Sequence, residues 1–198
     1  QEACPTAVRI KATEGIADLA RTAVNPEERH TLRYTLGRLT QAGNPEEMRF
    51  EATQALVLLV QQAVTYDESE ERRVLRTLFH PLLHEPNPDV LRQRATQGLA
   101  DLALRAPYGE RDPLREVFLP LIQAGQSEII RQSSLQGLVY LAKLATGRED
   151  RQRFRMVFQP LTISGPSVSE GVVCKAILGF AALAETATET AERSTLLE

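Results

Sequence analysis

Two histidines that stand four residues apart are the first candidate for a metal site in this chain. His80 and His84 would share one face of a helix, at the spacing of paired zinc ligands. Pro81 lies between them and distorts such a helix, and no carboxylate or cysteine of the segment is placed to complete the three or four ligands that zinc needs. We therefore expect structural or solvent-facing histidines, with no metal and no other cofactor.

The cysteines give no catalytic pattern either. Neither Cys4 nor Cys174 has a histidine nearby in the sequence, and the chain has no glycine-rich phosphate loop and no nucleophile elbow. Because Cys174 lies within a helical pattern, we expect it to be a small core residue, and we expect both thiols to be reduced. The sequence thus predicts that the chain is not an enzyme.

A recurring set of polar residues favours binding rather than catalysis. Glutamine returns at equivalent positions of successive helices, where its amide offers donors and acceptors to an extended peptide backbone or to a helix. Tyrosine supplies an aromatic anchor of the kind that is enriched at interfaces. The candidate binding residues are Gln54, Arg94, Gln97, Asp101, Gln136 and Tyr140. The competing interpretation is that each is simply a solvated position on a helix surface.

Arginine-rich segments offer a second possible binding face, because a stripe of arginines along one side of the helices favours a phosphate backbone. The stripe comprises Arg72, Arg73, Arg76 and the arginines of residues 148–155. Acidic residues interrupt it, however, and the net charge of −3 gives no overall electrostatic attraction to nucleic acid. Arginine also recurs at equivalent positions, as a structural role would require. We expect a solvated helix face here.

The elements that must position these residues are short units repeated at intervals of about 40 residues. Four similar stretches begin at Leu36, Phe79, Phe118 and Phe158, which are separated by 43, 39 and 40 residues. A repeat of this length is typical of helical solenoids, in which one unit is too small to bury its own apolar face and must stack on a neighbour. The periodicity predicts a binding surface rather than an active site.

A second ladder of residues runs in phase with the first. Its arginines are Arg9, Arg49, Arg92 and Arg131, with Val173 in the last copy. Six residues further along, its small residues are Gly15, Ala55, Gly98, Gly137 and Gly179. Because glycine within a helix costs about 0.5–1 kcal/mol relative to alanine, its recurrence needs a reason. We expect these glycines to allow close backbone approach between stacked helices.

One copy, from residue 67 to residue 107, contains the pattern of two helices. Helix A carries apolar residues at three- and four-residue steps, and Pro81 late in that pattern bends or ends it. Pro120 and Pro160 should do the same in the next two copies. Asn87 and Asn44 each precede a proline and are expected to be N-caps of the following helix B.

These features resemble a HEAT repeat: a late proline in helix A, a short turn with Pro-Asp, and the pattern Val-x-Arg-x-x-Ala-x-x-Gly-Leu-x-x-Leu-Ala. The copy from Pro81 to Ala103 is the most similar, and the resemblance covers nearly the whole chain in degenerate form. It implies an all-α, right-handed superhelix of about four and a half two-helix repeats, with B helices on the concave side. It also implies structural pairing by the ladder arginines. Armadillo repeats are similar in length but carry a third short helix, for which there is little room.

We expect one solenoid domain over residues 1–198. Its predicted parts are a half repeat at 1–24, full repeats at 25–66, 67–108, 109–147 and 148–187, and a tail at 188–198. The first half repeat lacks a helix A, which suggests a fragment of a longer protein. No apolar run approaches the roughly 20 residues that span a bilayer, so we expect a cytoplasmic protein without a membrane partner.

The HEAT resemblance and the absence of catalytic motifs favour a non-enzymatic scaffold that binds a protein segment on its concave B-helix surface. One alternative is a nucleic-acid binder that uses the arginine-rich face, as in HEAT-like DNA-repair proteins. Another is an accessory subunit of an enzyme complex, as in HEAT-like bilin lyases, and this rests on fold analogy alone.

Overall fold

The computed structural model describes residues 5–66, 69–163, 168–188 and 193 and is all-α. The α-helices are α1 Thr6–Thr22, α2 Pro26–Leu39, α3 Glu46–Tyr66, α4 Ser69–Phe79, α5 Asp89–Ala103, α6 Tyr108–Leu121, α7 Glu128–Ala142, α8 Arg148–Phe158 and α9 Glu170–Thr186. In terms of the repeat, odd-numbered helices are helix B and even-numbered helices are helix A. The predicted alternation of two helices per repeat is therefore confirmed.

Contacts divide the chain into two compact units, residues 1–102 and 103–198. In the first unit α1 packs on α3, and α2 packs on both. In the second unit α7 packs on α9, with α6 against α7 and α8 against α9. Each unit thus stacks B helices side by side and covers them with A helices. The expectation of a single domain stays a prediction.

Phenylalanines of the A helices lie against glycines of the B helices. A Cβ atom placed on Gly98 of α5 would come within 2.5 Å of the Phe79 ring at the end of α4. The equivalent pairs in the second unit are Gly137 with Phe118 and Gly179 with Phe158. All three rings are fully buried. The glycines therefore make room for an aromatic ring, and the expectation that they let stacked backbones approach each other is wrong.

The remaining repeat of the first unit uses a different pair of side chains. Leu36 of α2 stands where the other A helices have phenylalanine, and Ala55 of α3 stands where the other B helices have glycine. Both residues are fully buried. A smaller residue on helix A thus accompanies a larger one on helix B, as close packing requires.

The prolines near the ends of the A helices act in two ways. Before Pro81, α4 ends at Phe79 and a 3₁₀ helix continues over His80–Leu83. Pro160 likewise lies in a 3₁₀ helix, Gln159–Leu161, which follows α8. The predicted end of helix A is confirmed at these two positions, and α6 ends one residue after Pro120, at Leu121.

The asparagines before the B helices do not cap them. The Asn44 amide donates instead to the carbonyl oxygens of Arg38 at 2.9 Å and Leu39 at 3.2 Å, at the end of the preceding α2. The Asn87 amide donates in the same way to the oxygens of Pro81 at 2.9 Å and His84 at 2.8 Å. The N-cap prediction is therefore wrong for both, because their amides close the C-terminus of helix A.

The ladder arginines complete this arrangement. Arg9 donates from Nη2 to Oδ1 of Asn44 at 2.8 Å, and Arg49 donates to Oδ1 of Asn87. Each contact joins a helix B to the turn of the next repeat. The Nε groups of the ladder donate to backbone oxygens at the end of helix A: Arg49 to Thr40 at 3.0 Å, Arg92 to Leu83 at 3.0 Å and Arg131 to Ile122 at 3.1 Å. The predicted pairing between repeats is confirmed for Arg9 and Arg49.

We predict that Gly98→Ala lowers the free energy of unfolding by about 1–3 kcal/mol, because the new methyl group overpacks the Phe79 ring. Adding Phe79→Leu should restore part of this loss, because it recreates the pairing of Leu36 with Ala55. Urea unfolding followed by circular dichroism measures both changes.

Gly15→Ala is the matched control in the same unit. A Cβ atom at Gly15 meets nothing within 4 Å, so this change should stabilise α1 by about 0.5–1 kcal/mol. Equal effects of the two glycine substitutions would contradict the packing role of Gly98.

Candidate binding surface

The six residues expected to bind a partner all lie on B helices. In the first unit Gln54 belongs to α3, and Arg94, Gln97 and Asp101 belong to α5. In the second unit Gln136 and Tyr140 belong to α7. Arg94 is exposed and the other five are partly exposed, whereas the apolar residues beside them on the same helices are buried. The helical spacing therefore placed all six at the surface of their units.

Arg94 and Asp101 join two B helices of the first unit. The guanidinium carbon of Arg94 lies 5.6 Å from the ring centroid of Phe50 on α3, which is within the range of a cation–π contact. Asp101 accepts a hydrogen bond from Nε2 of Gln97 at 2.9 Å and a second from the side chain of Gln61 on α3. These contacts hold a cation and a carboxylate on the same face of α5.

Burial raises the pKa of Asp101 above its ordinary value of 3.8. Partial removal from water disfavours the charged carboxylate. The hydrogen bonds from Gln97 and Gln61 act in the opposite direction, because they stabilise the anion, but they do not outweigh the burial. Asp101 therefore takes up a proton at a higher pH than an exposed aspartate does.

The second unit has a comparable link between its B helices. Lys175 on α9 donates to Oε1 of Gln136 on α7. One turn earlier on α7, Gln132 donates to Glu128 at 2.7 Å, and its amide lies where a Cβ of Gly171 on α9 would stand. Gly171 thus lets a glutamine side chain lie against α9.

The predicted glutamine ladder is therefore partly engaged within the protein. Gln97 bonds to Asp101 and Gln136 bonds to Lys175, so these two amides already have partners in their own units. Sequence reasoning did not find the contributions of Phe50 and Gln61. Phe50 follows the ladder arginine of α3 by one position, and its place beside Arg94 depends on how α3 and α5 align laterally. In the aligned repeats Arg94 corresponds to Glu51, so Phe50 lies one position away from the residue that the alignment matches with Arg94.

Two arginines of the predicted A-helix stripe are buried. Arg72 and Arg151, which belong to it, are 2% and 4% exposed and cannot contact a phosphate backbone. They belong to a further arginine ladder that sequence reasoning missed although its spacing equals that of the phenylalanines: Arg29, Arg72, Arg111 and Arg151. Arg111 donates to the oxygens of Ala106, at 3.2 Å, and of Leu144, which follow the ends of α5 and α7.

Glu71 is the buried anion of this ladder in the first unit. Its carboxylate pairs with Nε of Arg29 at 3.1 Å and with the guanidinium of Arg33. All three side chains are less than one-tenth exposed. Among the exposed arginines, Arg73 pairs with Glu70 at 2.8 Å. Several cations of the A helices are thus already neutralised.

The histidines and cysteines are arranged as follows. His80 and His84 are both exposed, with ring centroids 5.3 Å apart in an edge-to-face arrangement. Within the described residues, no three or more His, Cys, Asp or Glu side chains gather into a potential metal site. Cys174 is exposed on α9, so the prediction of a core cysteine is wrong. Cys4 lies outside the described residues.

None of the helices in the described part of the chain combines the length and the apolar character that crossing a membrane requires.

Comparison with known proteins places the fold. No protein-family model and no curated protein matches this sequence. An engineered protein solved as Northeast Structural Genomics Consortium target OR329 is 16% identical, with a TM-score of 0.61, over 92% of this chain and 76% of that one. The designed armadillo repeat protein YIII(Dq)4CqI is 15% identical, with a TM-score of 0.62, over 98% and 84% of the two chains.

A third similar structure is the designed armadillo repeat protein YIII(Dq.V1)4CPAF in complex with peptide (KR)4. It is 17% identical, with a TM-score of 0.59, over 95% of this chain and 78% of that one. Sequence identities this low establish a shared fold and nothing further. The chain has the fold of a HEAT- or armadillo-like helical repeat solenoid.

Proposed function

We propose that this protein is a non-enzymatic scaffold that binds a segment of another protein on the face formed by its B helices. The observation that carries the proposal is the contrast between two sets of polar side chains. The Nε groups of the ladder arginines donate to backbone oxygens, whereas the candidate residues on the B helices of each unit are exposed or partly exposed. Such a row is suited to contacts with successive residues of an elongated ligand.

The first unit suggests what the ligand carries. Arg94 and Asp101 stand two turns apart on α5, about 10 Å along the helix axis, with Gln97 between them. An acidic side chain of the partner would pair with Arg94 and a basic one with Asp101. The amide of Gln97 would contact the backbone between them. A designed armadillo repeat protein with a similar fold was solved in complex with peptide (KR)4, which supports a peptide as the class of ligand.

We predict that Arg94→Glu lowers the affinity for the protein partner by about tenfold or more, because it places like charges in contact. The partner is recovered by affinity capture from native lysate treated with nuclease and identified by mass spectrometry. Its binding is then measured with the purified partner. Tyr140→Ala tests the second unit in the same assay.

The matched control is Arg153→Glu on α8. Arg153 has a side chain that is 56% exposed, but it lies on an A helix outside the proposed face. This variant should retain the partner. If only nucleic acid is captured, and moderate salt or Arg153→Glu releases it, the scaffold proposal is wrong and the arginine-rich face is the binding site.

Asp101 gives the proposal a pH dependence. Burial raises the pKa of Asp101. As the pH falls, its carboxylate should therefore be protonated while the pH is still above the ordinary aspartate pKa of 3.8, and its pairing with a basic ligand side chain should weaken. Acidification should weaken binding but increase the contribution of Asp101 to folding stability. A raised pKa in the folded state favours the protonated form, so this contribution is greatest below 3.8 and is lost as the pH rises through the raised value.

We expect Asp101→Asn to bind the partner more weakly near neutral pH and to lose both trends. Titration calorimetry and urea unfolding measure both pH trends, from just below the ordinary aspartate pKa to about three units above it. Equal pH profiles for the wild type and Asp101→Asn would show that this carboxylate contributes neither to binding nor to stability.

A further inference from the structure

Three hydrogen-bond acceptors lie together near the C-terminal end of α5 in the first unit. Asp101 accepts hydrogen bonds from Nε2 of Gln97, at 2.9 Å, and from the side chain of Gln61 on α3. A glutamine can donate to a carboxylate only through its amide nitrogen. Because the nitrogen and the oxygen of an amide share one carbon atom, the oxygens of both glutamines lie beside the carboxylate. The acceptor cluster of Asp101, Gln97 and Gln61 thus combines one anion with two amide oxygens.

The position of the acceptor cluster favours a cation. Asp101 belongs to the last turn of α5, which ends at Ala103. The helix macrodipole is negative at that end, so an anion there is destabilising and a cation is stabilising. Burial also disfavours the charged carboxylate and raises the pKa of Asp101. A basic ligand group offsets both effects, as expected of a residue that serves binding rather than local stability.

The number of acceptors favours arginine over lysine as this basic group. A guanidinium carries five N–H donors in one plane, whereas an ammonium carries three. A guanidinium can therefore pair with the carboxylate of Asp101 and still donate to the amide oxygens of Gln97 and Gln61. All three side chains are at least partly exposed, so a ligand can reach them from solvent. The second amide hydrogen of Gln97 remains for the backbone of the ligand.

Arg94 opposes a second basic residue in the ligand. Its guanidinium carbon lies 5.6 Å from the ring centroid of Phe50, and this contact with a ring does not neutralise the positive charge. Arg94 stands two turns before Asp101, about 10 Å along the helix axis. A basic ligand residue at that distance from the acceptor cluster would meet a like charge, whereas an acidic one would pair with it. In the extended polyproline II conformation, residues three positions apart lie on the same side of the chain, about 9 Å apart.

We propose that the acceptor cluster binds an arginine side chain of the protein segment that the B-helix face recognises, and that Arg94 binds an acidic residue three positions away in that segment. The ligand is thus a segment of mixed charge and not a run of basic residues. This inference rests on the proposed function, because it specifies the ligand of the same face.

The test uses the peptide acetyl-Pro-Arg-Pro-Pro-Glu-Pro-amide, whose prolines favour the polyproline II conformation. Proton–nitrogen correlation spectra of the whole chain follow the side-chain amide signals of Gln97 and Gln61 during the titration. We expect these signals to shift and saturate. Replacing the arginine of the peptide by lysine should weaken binding about threefold to tenfold, because fewer hydrogen bonds form. Replacing its glutamate by arginine should weaken binding about tenfold or more, because the new residue meets Arg94.

Two variants of the protein locate the arginine of the ligand. Asp101→Asn should weaken binding of the peptide about tenfold or more, because it removes the anion of the cluster. Gln61→Met keeps the length of the side chain but removes its amide oxygen, so it should reduce the preference for arginine over lysine.

Asp18→Asn is the matched control for Asp101→Asn. Asp18 occupies the position on α1 that corresponds to Asp101 on α5, and its carboxylate pairs with Arg21 of the same helix. The control removes the same charge from an equivalent position and should leave the affinity for the peptide unchanged.

Three results would overturn the proposal: no saturable shift up to the solubility limit of the peptide, equal affinities for the arginine and lysine peptides, and equal effects of Asp101→Asn and Asp18→Asn. The captured protein partner separates this proposal from the proposed function. A partner that is lost with Arg94→Glu but retained by Asp101→Asn would contradict the arginine site and leave the scaffold standing. Specific binding of the peptide without any captured protein would support the arginine site and contradict the scaffold.

Discussion

The contact on which the repeat depends is the phenylalanine of helix A against the glycine of helix B. Phe79 and Gly98 show its physical basis: the absent side chain on one helix is the space for the ring of the other. A glycine within a helix costs about 0.5–1 kcal/mol, whereas burial of a phenylalanine ring stabilises by about 1.5–3 kcal/mol. The net effect favours an arrangement of the two helices in which the ring lies over the glycine.

Once the helices are fixed in this way, their ends become the next constraint. The last carbonyl groups of a helix have no partner within it, and a repeat of short helices has many such ends. Arginine satisfies several of them at once because its guanidinium carries five donors in a planar group. Arg49 donates to the carbonyl oxygen of Thr40 at the end of α2 and to the side chain of Asn87 in the next repeat, so a single side chain joins two repeats. Much of the positive charge is thereby committed to structure.

Periodicity in the sequence was sufficient for the architecture but not for the local chemistry. Apolar spacing reports which face of a helix is buried, and therefore it predicted the two-helix repeats. It does not report what fills that face, and so the role of Gly98 was misassigned. Asn25 and Asn44 both precede proline, yet Asn25 accepts from the backbone nitrogen of Glu27 as a true N-cap, whereas Asn44 bonds to the preceding helix. Arg9, which donates to Asn44, is a tertiary neighbour that the local sequence does not specify.

On the candidate surface, too, helical spacing predicted which residues are exposed but not which side chains they contact. Helical spacing placed Gln97 and Asp101 on one exposed face, but their partner Gln61 belongs to another helix whose alignment no single repeat encodes. Because Gln97 and Asp101 already bond to one another, a ligand that displaces those bonds exchanges hydrogen bonds rather than adding new ones. The net gain of such an exchange is small for each group. Discrimination between ligands must therefore arise from charge and spacing along the B helices of each unit.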